Sequence, residues 1–123
     1  MNFHQFLEVT EGSDLVAAWR QSILAQHPGA DIEAWATPHQ IELATLRIPA
    51  EEQGGGKGTA IVQSLQEIAK QLALPIVVRP EPEPRKKAKL ISFYRRLGFV
   101  PNKGRYKDYT ISSPFASTMY WRP

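Results

Sequence analysis

At 123 residues, 42% hydrophobic and 22% charged, the chain has the composition of one globular domain with material for a single core. It contains no cysteine, which excludes disulfides, a thiol nucleophile, a cysteinyl-acyl intermediate and cysteine-ligated zinc, and fits a reducing compartment. The net charge of +3 conceals an asymmetry: four Lys/Arg against nine Asp/Glu up to Val78 leave −5, and eleven against three from Arg79 onward leave +8, so the C-terminal part attracts anions such as nucleic acid, an acidic protein or a phosphorylated cofactor.

The opening MNFHQFLEVTEGSDL has no basic region followed by an apolar run, and no segment approaches the roughly 20 apolar residues of a membrane span. A soluble, cytoplasmic protein with no membrane partner is expected. The spacing of Leu15 or Val16, Trp19 and Ile23 then predicts a helix, with Ser13 or Asp14 as its cap and Pro28-Gly29 as its stop. DIEAWATPHQIELATLRIP reads as two strands joined at TPHQ, the second ending at Pro49. After the glycines of EEQGGGKG, Ile61, Leu65, Ile68 and Leu72 recur at steps of four, three and four, which makes one apolar stripe on a helix of about four turns. LPIVVRP is a short apolar strand with proline at its entrance, and RPEPEPRKKAK is a proline-rich connector into a basic cluster. KKAKLISFYRRLGF is helical, with Leu90, Tyr94 and Leu97 on one side and Gly98 as its C-terminal cap, and ASTMYWRP is a last strand. The fold class is therefore α/β (α+β), a mixed, mostly antiparallel sheet flanked by helices.

The three glycines between a strand and a helix carry the functional question. A helix start exposes N–H groups without partners and the positive end of the helix dipole, which suits an anion, and glycine lets a phosphate approach the backbone closely. The Walker pattern fails, because Lys57 is followed by Gly58 and Glu51 holds the earlier glycine position. The dinucleotide pattern G-x-G-x-x-G fails at Thr59. A flexible turn is the bland alternative. The remaining pattern is Q-x-x-G-x-G, formed by Gln53, Gly56 and Gly58, followed beyond a helix and a strand by SFYRRLGFVP.

With these two motifs in order, the stretch from Glu42 to Pro101 resembles the GNAT family, the Gcn5-related N-acetyltransferases, in a member with a shortened N-terminal part. The resemblance implies that the backbone of Gly54, Gly55, Gly56, Lys57, Gly58 and Thr59 holds the pyrophosphate of acetyl-coenzyme A, with the Lys57 ammonium a solvated charge nearby. Gln53 belongs to that site or is an exposed loop residue. It also implies that the strand before the loop splays from its neighbour, so that amides at Leu46, Arg47 and Ile48 bind the pantetheine arm and the thioester oxygen. Transfer to an amine needs a neutral amine, although a lysine amine titrates near about 10.4, together with a stabilised oxyanion and a proton for the departing thiolate.

Glu42 is the candidate base, on IELATLRI in phase with Ala44, Leu46 and Ile48, where apolar neighbours disfavour the charge of a carboxylate. A solvated strand-end carboxylate is the alternative. Glu51 and Glu52 read as loop surface. Tyr94, in the family's position for the tyrosine facing the coenzyme sulfur, is the candidate acid, with a core tyrosine as the alternative. The family often has Asn seven residues before that tyrosine, where this chain has Lys87. Lys86, Lys87 and Lys89 read as a solvated basic face or as phosphate contacts. The short N-terminal part leaves an open acceptor pocket, suited to a protein amine as well as a small one, or one completed by a second copy in a homodimer.

Two further readings stand beside the acetyltransferase. One is a catalytically degenerate member of the fold that binds coenzyme A or a partner. The other is a nucleic-acid binder using the +8 segment with Tyr94, Tyr106 and Tyr109. Nucleic acid is not expected as the partner, because those aromatics match no RNA-binding motif and read as packing residues. His4, His27 and His39 lack metal-ligand spacing, and no metal site is expected.

Overall fold

The computed structural model describes residues 3–80, 84–111 and 118–123, with side chains described for 12–80, 86–111 and 118–123. The elements run α1 (Phe3–Gln26), β1 (Asp31–Ala36), β2 (Ile41–Arg47), α2 (Lys57–Leu72), β3 (Ile76–Val78), α3 (Pro84–Arg96), β4 (Val100–Pro101) and β5 (Met119–Trp121), with short 3-10 turns at Ala50–Glu52 and Gly104–Tyr106. One five-stranded sheet has the order β1-β2-β3-β5-β4. β2 and β3 are parallel, and the other neighbours are antiparallel. The proline-rich stretch 81–83, the start of the tail at Ala116 and Ser117, and the His4 side chain lie outside what is described.

The first helix begins earlier than expected. Ser13 and Asp14 lie inside α1 and do not cap it. Gly12 looks like a boundary in the sequence, but the helix runs through it where it passes close to α2: a Cβ there would meet the Leu72 methyls at 3.7 and 3.8 Å. Val16, Trp19 and Ile23 form the buried stripe, with Leu15 half-buried. The Trp19 indole N–H donates to Ser64 Oγ at 2.8 Å, which fixes α1 on α2.

The β1–β2 hairpin turns at Thr37–Gln40, where Thr37 N–H donates to the Gln40 carbonyl and Thr37 Oγ1 accepts from the His39 and Gln40 amides. Its register pairs Ala36 with Ile41, Trp35 with Glu42 and Ala34 with Leu43, then slips at Glu33/Ala34. α2 buries Ile61, Val62, Leu65, Gln66 and Ala69, so its stripe is rotated slightly from the one read in sequence, and Ile68 and Leu72 sit at its margin. α3 ends in a Schellman turn: Phe99 N–H reaches the Tyr94 carbonyl, Gly98 N–H reaches Arg95, and Gly98 takes φ 95°. β4, which the sequence reading did not anticipate, is a two-residue edge strand ending in Pro101, a residue an edge tolerates.

One apolar cluster joins Val16, Trp19 and Ile23 of α1 to Ile61, Val62, Leu65 and Ala69 of α2, Tyr94 and Phe99, and the strand residues Ile32, Ile41, Leu43, Ile76, Val78 and Met119. Strand side chains alternate between faces. The register therefore places a second row, Trp35, Glu42, Val77 and Tyr120, on the opposite face of the sheet. No helix among the described residues is long and apolar enough to cross a membrane.

Candidate functional site

The parallel pairing of β2 with β3 covers only Ile41–Leu43 against Ile76–Val78, whereas β2 stays paired with β1 as far as Arg47. From Ala44 onward β2 therefore has no partner strand on the β3 side among the described residues. The end of the pairing leaves strand edge at Leu46 and Arg47 leading to Ile48. Past it the chain makes one 3-10 turn and enters the glycine loop. The Gln53 side-chain amide donates to the Ile48 carbonyl at 2.8 Å, while the Gln53 residue itself is exposed. That bond clamps the loop to the end of the strand.

Gly56 caps α2 in a left-handed conformation, φ 78° and ψ 8°, and its carbonyl accepts the first helical bond from Ala60 N–H at 3.0 Å. A side chain at this φ would be strained, so the residue read from the motif has a backbone reason to be glycine. The amides of Lys57, Gly58 and Thr59 make up the first turn, whose N–H groups point out of the helix without helical acceptors. In front of Gly54, Gly55 and Gly56 no protein atom stands within 4 Å of a built Cβ. Gly58 is different: its Cβ would lie 3.3 Å from Ile48 and 3.4 Å from Phe93. The end of β2, the first turn of α2 and Phe93 of α3 thus meet at one point. Lys57 pairs with Glu52 at 3.0 Å, which gives Glu52 a partner at the loop rim, while Glu51 is exposed.

Tyr94 is buried, with its ring edge-on to Phe93 and to Phe99 at centroid distances of 5.1 and 5.2 Å. Lys86 and Lys89 are exposed and Lys87 is half-buried. Glu42 stands six residues before Ile48, about 20 Å along an extended strand. It is 6% exposed. Gln40 Nε2 donates to one of its oxygens at 2.5 Å, and Arg79 donates to the other at 3.3 Å. Burial of such a carboxylate is tolerated because both oxygens are hydrogen-bonded and one partner is a cation.

Gln40, Arg79 and Trp35 were absent from the sequence reading. Arg79 lies 37 positions from Glu42, and no local spacing points to it. Trp35 was recoverable, because a two-residue turn at Pro38-His39 sets it opposite Glu42. The indole is 46% exposed, beside a buried carboxylate on the same face.

The third feature is the loop between β4 and β5. Asn102 Oδ1 accepts from the Asp108 amide at 2.7 Å, and the Tyr120 hydroxyl donates to the Tyr106 carbonyl at 2.5 Å. Arg122 donates to the Asp108 carboxylate and to the Thr110 hydroxyl. The Thr110 hydroxyl above all, then Arg122 and the Thr110 amide, hold the Asp108 carboxyl below the usual carboxylate range against the opposing effect of partial burial.

Three solved structures share this architecture. The anti-CRISPR protein AcrVA5 matches with a TM-score of 0.55 at 19% identity, over 76% of this chain and 90% of that one. Tetrahymena Gcn5 matches with 0.55 at 19%, over 76% and 59% of the two chains. Ard1 from Thermoplasma volcanium matches with 0.53 at 14%, over 76% and 62%. The chain thus spans about three-fifths of the Gcn5 and Ard1 chains. No family model and no curated protein matches the sequence. The fold is that of the GNAT acetyltransferases.

Proposed function

We propose that this single domain is an acetyl-coenzyme A-dependent N-acetyltransferase that transfers acetyl directly to an amine. The observation that carries the reading is the continuity between the open edge of β2 and the glycine-capped start of α2. The first offers peptide groups to an extended, amide-bearing arm, and the second offers N–H groups and a helix dipole to its pyrophosphate. Backbone groups of Gly54, Gly55, Gly56, Lys57, Gly58 and Thr59 hold the phosphates, Gln53 fixes the loop, and Leu46, Arg47 and Ile48 line the arm.

Glu42 takes a proton from the acceptor ammonium, with Gln40 and Arg79 holding the carboxylate in place. The amine nitrogen then bonds to the thioester carbon and the carbon–sulfur bond breaks. Tyr94 gives its proton to the departing sulfur, the amide nitrogen loses its second proton to solvent, and the proton held by Glu42 returns through solvent to Tyr94, so the products are an amide, the free thiol and one proton released to solvent. The acceptor, a small amine or a protein amine, approaches the face that carries Trp35 and Glu42.

The test is calorimetric titration with acetyl-coenzyme A, followed by thiol release over an amine panel. Glu42→Gln and Tyr94→Phe are each expected to lower turnover by about 10²–10⁴-fold while binding is kept, since phenylalanine preserves the ring contacts of Tyr94. Unchanged rates in both variants would remove these roles. A second reading, coenzyme binding without transfer, draws on the fact that both Glu42 oxygens already accept hydrogen bonds. Binding with no thiol release from any amine favours it.

A further inference from the structure

The +8 half of the chain has an exposed centre that the acetyltransferase reading does not use. Of the three tyrosines in that segment flagged by their basic surroundings, Tyr94 is buried, but Tyr106 is 39% and Tyr109 88% exposed. The two exposed rings do not serve the core. Each exposed ring carries a cation: the Arg105 guanidinium sits 4.8 Å from the Tyr106 centroid, and Lys107 Nζ sits 5.6 Å from that of Tyr109. Lys103, Arg105 and Lys107 are all exposed. The one acid of the stretch, Asp108, is taken up by Arg122, so the loop presents three cations with no net offset from it.

Exposed tyrosines on a wandering loop would carry little weight. This loop is held at Tyr106 by the Tyr120 hydroxyl, and around Asp108 by Asn102, Thr110 and Arg122. Two rings and three cations are therefore presented on a fixed backbone, and the entropy of ordering them is already spent in folding. Alternating cations and aromatic faces match a ligand that alternates phosphates with flat bases. An acidic polypeptide would use the cations and leave the rings idle. A duplex would offer phosphates with its bases already stacked.

We propose that the loop of residues 103–110 is a docking surface for single-stranded nucleic acid, with bases stacking on Tyr106 and Tyr109 and phosphates lying against Lys103, Arg105 and Lys107. This surface shares no residue with the glycine loop, and the proposal does not depend on acetyl transfer.

The experiment is fluorescence anisotropy of labelled octanucleotides, RNA and DNA, titrated with the full chain between 50 and 200 mM salt. The expected result is binding to single strands of either sugar, with a slope of about −2 in log affinity against log salt for three phosphate contacts. Tyr109→Ala is expected to weaken binding by roughly five- to a hundredfold, and Tyr109→Phe to retain it, because stacking needs the ring and not the hydroxyl. At 88% exposure Tyr109 supports no packing, so loss of fold does not confuse the result. Absence of binding at 50 mM salt overturns the proposal. So does a Tyr109→Ala variant that binds like the parent, or equal affinity for polyglutamate or for duplex DNA of the same length.

Discussion

Ala73 closes α2 with φ 56° and ψ 41°, the one described non-glycine residue with positive φ. Its amide reaches the Lys70 carbonyl, and Leu74 N–H reaches Ala69, so it stands where Gly98 stands at the end of α3. A left-handed backbone costs an L-residue about 1–2 kcal/mol, while glycine in its place loses about 0.4–1 kcal/mol through the unfolded chain. Ala73 is exposed, so little packing is lost. Ala73→Gly should therefore stabilise the protein by roughly 0.5–1 kcal/mol, read as a raised urea midpoint with unchanged slope. Asp108 contributes with a different dependence. Its folded pKa lies below the ordinary 3.8, so its stabilisation is complete above the unfolded value and is lost as pH falls through the folded one. The difference in melting temperature between the parent and Asp108→Asn should be greatest near neutrality and shrink as pH falls below the ordinary 3.8. A difference that stays constant from neutrality down to the acid limit of the folded state would show that the carboxylate charge is not what holds the loop.

At the scale of elements, the loop between β2 and α2 is a geometric device whose parts are unequal. Gly56 needs its left-handed φ, and Gly58 lies against Ile48 and Phe93, whereas Gly55 faces open space. Gly56→Val should weaken acetyl-coenzyme A binding at least tenfold by calorimetry, because it strains the cap and pushes a branched side chain into the region in front of the loop. The matching substitution at Gly55 meets no protein atom and no unfavourable φ, so its effect comes from the ligand alone: reduced affinity with unchanged thermal stability. These elements were legible in the sequence to different degrees. The hairpin was read correctly because turn residues and strand patterns agree locally, and α2 because four apolar residues share one period. α1 was read short at its start, since Ser13 and Asp14 have the side chains of a cap, while the helix runs back through them to Phe3. Glu42 was legible as a carboxylate on a strand, but its partners were not read. Gln40 lies two positions from Glu42, the spacing of one strand face, whereas Arg79 reaches it through the parallel pairing of β2 and β3, which leaves no spacing to read.

For the molecule as a whole, the apolar cluster decides how the chain unfolds. Leu65 is fully buried at its centre, on the helix that α1 contacts through Trp19 and Ser64 and that α3 contacts through the Gln66 amide and the Leu97 carbonyl. The strands contribute to the same cluster, so no subset of helices has an apolar interior of its own. Leu65→Ala should cost about 2–5 kcal/mol through lost burial and the cavity left behind. The loss should fall on one transition, since a single core of this size unfolds cooperatively. Far-ultraviolet circular dichroism reports the helices, while tryptophan fluorescence reports Trp19 in the core together with Trp35 and Trp121 on the strands. The two urea curves should coincide in the parent and shift together in the variant. If the fluorescence midpoint moved while the helical signal kept its own, α1 and α2 would be a separate unit. The glycine loop and the open edge of β2 would then belong to different cooperative blocks, and a site built across their junction would lose its rigid frame.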